Sequence, residues 1–190
     1  MSGKETIEIR TPLSKNILKK LRTGEQVKIS GTIYTARDAA HKRMYDTIEQ
    51  EGQLPFNPAD QVLFYVGPTP APPGKVIGSA GPTTAGRMDA FTPMLIERGL
   101  RAMIGKGRRS EKVRKAMLEH GCIYFGSVEG TAALLSECIR FAEIVAYEDL
   151  GPEAIYQLTV EDFPAIVVND LHGGDLYKEG RNQYRRSWPG

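Results

Sequence analysis

Apolar and polar positions change period several times along the chain, and each change predicts an element. Leu13, Ile17, Leu18 and Leu21 fall at helical spacing over residues 13–21, and Gly24 stops the run. The period then drops to two: Val27, Ile29, Gly31 and Ile33 alternate with polar neighbours, predicting a half-buried strand over 26–35. Helical spacing returns over 39–51, after Asp38 as the expected N-cap, and ends at Gly52. The continuous apolar run 62–66 predicts a buried strand, GPTPAPPG (67–74) a stiff loop, and 75–77 a further short strand.

The second half repeats helix and strand. Residues 88–98 read as a helix, 102–105 as a strand, 110–120 as a helix capped by Ser110, and 122–125 as a strand. An apolar helix over 131–142 and a strand over 144–147 follow, then a hairpin built from 154–160 and 165–169. Residues 173–190 are polar and basic and are expected to lie loose or docked on a partner. Strands alternating with helices predict one α/β domain over 1–172 with parallel strands in its second half.

Composition narrows the classes. The 190 residues carry 25 Lys and Arg against 23 Asp and Glu, a net charge of +2, so no global field points to nucleic acid. Apolar runs are too short to span a bilayer, and the N-terminal MSGKETIEIR has no apolar core of signal-peptide type. Two cysteines, Cys122 and Cys138, make neither a disulfide framework nor a metal-ligand set, and a reducing, cytoplasmic setting is the default.

Three stretches follow strands and mix basic residues with Gly, Ala or Thr: 35–43, 78–89 and 105–110. In parallel sheets, ligands gather at such strand ends. The spacing in GPTTAGR (81–87) is that of a phosphate loop, but Arg87-Met88 replaces the Lys-Ser/Thr pair, which argues against a nucleotide site. Two readings remain for it: a Gly-rich turn with an exposed arginine, or a helix N-terminus whose free amides and Arg87 receive a carboxylate. Arg37 and the basic turn after it oppose the helix dipole, so either Asp38 or a bound dicarboxylate compensates them. Lys106 follows its strand directly, whereas Arg108 and Arg109 read as a solvated or inter-subunit patch. His41 suits packing as well as acid–base work, and both cysteines read as core.

GTIYTARDAAHKR (31–43), GPTTAGRMD (81–89), MIGKG (103–107) and AYEDLGPEAIY (146–156) together resemble the β subunit of two-subunit class I iron–sulfur fumarases. The same unit forms the C-terminal domain of single-chain members. The resemblance implies a single swivelling β/β/α domain with mixed sheets flanked by helices. It implies that Arg37, Arg87 and Lys106 bind the substrate carboxylates and that Thr83 is the catalytic base. It places a [4Fe–4S] cluster on three cysteines of a separate α subunit, not on this chain. Reversible hydration of fumarate to (S)-malate in an α2β2 assembly is then expected. A slim loop of glycines and Ala85 would let the dicarboxylate lie against it. Tartrate dehydratase and mesaconate hydratase β subunits share the pattern, and a non-catalytic anion-binding module is the alternative of another class.

Overall fold

The computed structural model describes residues 6–127 and 132–185. Among the described residues seven strands form one mixed sheet: β1 Ile7–Arg10, β2 Gln26–Thr35, β3 Val62–Phe64, β4 Ala102–Gly105, β5 Ile123–Gly126, β6 Ile139–Ala146 and β7 Ile155–Asn169. Pairings β2–β3, β3–β4 and β4–β5 are parallel. The long β7 runs antiparallel to β5 and to β2, and so closes these strands into a ring. β6 extends the sheet along β7, and β1 lies parallel to the first half of β2. Among the described residues no helix is long and apolar enough to cross a membrane.

Alternation along the strands builds two cores. Val62, Phe64 and Val66 point inside the ring with Ile29, Ile33, Ile104, Phe125 and Val160. Leu63 and Tyr65 point outward, with Met103 and Tyr124, to meet the helices. Those helices are α2 Asp38–Glu49, α3 Thr92–Glu97 and α4 Glu111–His120. A strand buried on both faces needs apolar residues at every position, which is why 62–66 is an unbroken run.

The sequence reading holds for β2 and β4 at both ends, and Ser110 caps α4 as expected, its Oγ accepting from Val113 N at 3.3 Å. Elsewhere tertiary pairing overrides local pattern. The first helix shrinks to α1 Lys15–Leu18, and the expected 88–98 helix starts late, as α3, with a proline in its first turn. Residues 75–77 form no strand; Lys75 N bonds to Pro72 O at 3.0 Å in a turn. The expected helix over 131–142, whose first residue lies outside the described residues, is α5 Ala132–Glu137, and the chain then turns into β6 because β7 supplies a partner from Ile139 onward. The expected hairpin is one strand. β7 runs through Pro164 by way of a bulge opposite β2, where Asp162 takes φ 53° and its N–H donates to Ser30 Oγ at 3.0 Å. β1 was not predicted, although Ile7 and Ile9 alternate there with Glu8 and Arg10.

The polar stretch after residue 172 is also partly structured, and its last five residues lie outside those described. α6 Leu176–Arg185 starts at Asp175, whose carboxylate accepts from Tyr177 N at 3.1 Å and Lys178 N at 3.3 Å. Its first turn docks on this chain: Arg114 pairs with Asp175 at 3.3 Å, and Gly107 N donates to Tyr177 Oη at 3.1 Å.

Candidate functional site

β2 ends at Thr35, and two residues later Arg37 stands in extended conformation (φ −135°, ψ −156°) as the N-cap of α2. Asp38 is therefore not the N-cap but the first residue of the helix. The capping acceptor arrives from far along the chain: Glu153 Oε2 takes the Ala39 amide at 2.7 Å. Glu153 lies on the 3-10 segment Glu148–Glu153, which a paired Arg43–Asp149 contact at 2.7 Å also ties to α2.

Relieved of capping, the Asp38 carboxylate faces two arginines. Arg37 Nε donates to Oδ2 at 3.3 Å and Arg87 Nε to Oδ1 at 2.8 Å. Arg37 Nε also lies 3.4 Å from Glu153 Oε1. Burial acts to raise the Asp38 carboxyl, but its own backbone amide and the two guanidinium groups outweigh that and hold it below the usual carboxylate range. Asp38 thus compensates the basic turn. Gly67 makes room for this arrangement, since a Cβ there would sit 3.0 Å from Arg37 Cδ and Nη1 and 3.1 Å from the Pro152 carbonyl.

The loop that carries Thr83 is laid like a short strand between the ends of β3 and β4. Pro82 bridges to Val66, and Thr84 bridges to Lys106. Thr83 N donates to Tyr65 O at 2.7 Å, Lys106 N to Thr83 O at 3.2 Å, and Ala85 N to Lys106 O at 2.8 Å. Both backbone groups of Thr83 are spent on holding it, and its side chain is left part-exposed. The helix N-terminus weighed for this loop is a single 3-10 turn, Ala85–Met88. Its leading amide is committed to Lys106, and Thr84 makes no side-chain cap bond. Arg87, half-exposed on this turn, reaches across to Asp38. The four residues singled out in the sequence therefore form one connected group. Thr83 and Lys106 are joined through the backbone, Arg87 shares the Thr83 loop, and Arg37 meets Arg87 on Asp38.

One glycine of the stretch, Gly78, has a purpose in the fold itself. A Cβ at Gly78 would lie 2.5 Å from the carbonyls of Thr69 and Pro70, so that glycine admits the chain itself, not a ligand.

Around the group, the structure adds to or alters the sequence reading of five residues. Arg109 is not on a solvated patch: its side chain is fully buried and its Nη2 sits 3.0 Å from Asp89 Oδ1. Arg108 is exposed, with its guanidinium 5.6 Å from the Tyr177 ring. His41 is buried, and its Nδ1–H donates to Arg37 O at 3.0 Å, as a carbonyl can only accept. Burial drives its pKa down to about 4, which leaves a neutral imidazole at physiological pH. The Cys122 thiol is pushed up by burial to about 12, and Cys138 is raised for the same reason. Asp38 was one of the two compensating anions weighed from the sequence, whereas Glu153 and Arg109 were missed as organisers. Glu153 did stand inside one of the quoted stretches, but Arg109 carried no signal because it adjoins another arginine.

Fold and site together define an α/β domain that presents cations and a threonine at the carboxyl ends of its parallel strands. Sequence comparison gives the lineage. Residues 1–180 match the Fumarase C-terminus family, and the chain belongs to it. It is 39% identical over 178 residues to the anaerobic class I fumarate hydratase of Escherichia coli K12, covering 91% of this chain and 32% of that protein. It is 40% identical over 156 residues to mitochondrial fumarate hydratase 1 of Leishmania major, covering 81% of this chain and 28% of that one. The chain thus spans about a third of the length of these relatives. It is also 34% identical over 173 residues to a putative L(+)-tartrate dehydratase subunit beta of Methanocaldococcus jannaschii, covering 88% of this chain and 89% of that subunit.

Proposed function

We propose that the chain is the β subunit of an iron–sulfur hydro-lyase that interconverts fumarate and (S)-malate together with an α subunit, in a cytoplasmic α2β2 assembly. The observation that carries this reading is the carboxylate already gripped by Arg37 and Arg87. Asp38 occupies the junction of two guanidinium groups, the geometry that a substrate carboxylate needs. Lys106, at the adjoining strand end, takes the second carboxylate.

Thr83 then acts on the carbon between them. Its alkoxide form takes the C3 proton of malate in dehydration, while the C2 hydroxyl leaves as water with a proton supplied from the α-subunit side, and the same proton returns to C3 in hydration. A free threonine is too weak a base for this, and the charges of Arg87 and Lys106 favour its deprotonated form once water is excluded. The donor set of this chain does not fit an iron–sulfur cluster. Both thiols are held away from the thiolate form, and among the described residues no three His, Cys, Asp or Glu side chains converge. We therefore assign the cluster to the α subunit and derive no step through it.

A tartrate dehydratase β subunit is the second reading, favoured by the near end-to-end match with the Methanocaldococcus jannaschii protein. The test is anaerobic co-purification with the cluster-bearing partner, then kcat/KM for fumarate, mesaconate and tartrate. Fumarate should be preferred, and the chain alone should turn over none of them. Turnover by the isolated chain, or no turnover by the assembly, overturns the proposal.

A further inference from the structure

We propose that Arg109 is a positioning residue whose buried guanidinium fixes, relative to one another, the segments that present Thr83, Arg87 and Lys106. This rests on the site assignment above. The Arg109 side chain has no exposed surface and lies between two aromatic rings, 5.1 Å from the Tyr65 centroid and 5.4 Å from the Tyr124 centroid. Each of its neighbours leads to a different part of the site. Tyr65 supplies the carbonyl that holds the Thr83 amide at 2.7 Å. Tyr124 Oη donates to Gly107 O at 3.1 Å, next to Lys106. Asp89, paired with Arg109 at 3.0 Å, immediately follows the turn that carries Arg87, and its other oxygen accepts from Ser110 N at 2.6 Å.

Thr92 completes the junction. Its hydroxyl donates to Met88 O at 2.8 Å, which leaves its lone pairs for Arg109 Nη2 at 2.8 Å and Tyr65 Oη at 3.3 Å. Arg109 Nε and Nη1 have no hydrogen-bond partner among the described residues. A buried ion pair so sparingly satisfied gains little over an apolar side chain of the same volume. What it gives is direction: one planar cation in contact with three chain segments that share no regular element.

Hydrogen exchange on the full chain tests this without relying on turnover. Thr83, Ala85 and Lys106 amides are the reporters, and Ile29 in the ring core is the reference. In Arg109→Lys, exchange at the three reporters should rise about tenfold or more while Ile29 is unchanged. Tyr124→Phe, which removes only the hydroxyl on Gly107, should raise Lys106 exchange selectively. In the assembled enzyme both variants should lose kcat with little change in melting temperature. Equal acceleration at Ile29 and the reporters, or none at the reporters, overturns the proposal. Should Arg109→Lys not fold, Tyr124→Phe and Asp89→Asn decide it by the same reporters. If the unmodified assembly hydrates nothing, the functional reading fails, and the exchange data still decide this one.

Discussion

Arg87 Nε donates to Asp38 Oδ1 at 2.8 Å, so that the turn after β3 and the start of α2 share one carboxylate with Arg37. An internal anion placed there competes with an incoming one, yet also keeps the two cations aimed at a common point. Asp38→Asn removes the competition and the alignment together. In the assembled enzyme, KM for the dicarboxylate should fall severalfold and kcat should fall with it. A KM that rises instead would mean that Asp38 only supports the fold.

Arg87→Ala should weaken dicarboxylate binding by about 2–5 kcal/mol, the usual cost of losing a charge-assisted carboxylate contact in a closed site. Arg108→Ala is the control, since its guanidinium meets only the exposed Tyr177 ring among the contacts described. Steady-state kinetics on both variants check the pair. Equal effects would place the clamp elsewhere.

Thr83 and Thr84 supply their own comparison. Thr83→Val should lower kcat by about 10²–10⁴-fold with KM nearly kept, the ordinary contribution of a general base. Thr84 stands at the cap position of the 3-10 turn, but its hydroxyl makes no cap bond to it. Thr84→Val should therefore change stability by no more than about 0.5 kcal/mol, read from the melting temperature. Loss of turnover in Thr84→Val alone would exchange their roles.

His41 makes stability depend on pH. Its folded pKa, about 4, lies below the ordinary 6.5 because burial outweighs the Arg37 carbonyl; Arg109 lowers it further and Asp38 opposes. The unfolded chain therefore binds the extra proton first. Stability is complete above pH 6.5 and is lost as pH falls toward about 4, by about 3 kcal/mol from this residue. Denaturant titrations at several pH values should show that slope, and His41→Phe should flatten it.

How much of this was legible can be judged from particular residues. β2, β4 and α4 were readable because their periodicity and caps are local. The stretch 154–169 was not: Asp162 and Pro164 look like a turn, and only the bulge opposite Ser30 lets the strand continue. Arg37, Arg87 and Lys106 were legible as cations beside predicted strand ends, Thr83 was singled out only by the family resemblance, and the structure links the four. Their organisers were not legible. Glu153 caps a helix 114 positions away, and Arg109 is buried by rings from β4's two neighbouring chain segments. Such partners are set by how the sheet closes, and no local pattern carries that information.

The closing strand also sets an order of events during synthesis. Until Ile155–Asn169 has left the ribosome, the edges of β2 and β5 that it will cover stay open, and the inner core has no lid. The nascent chain must therefore wait with two adhesive edges exposed and complete its ring in one late step. Cells that express it are expected to rely on chaperones over that interval, and chains cut short before β7 should aggregate.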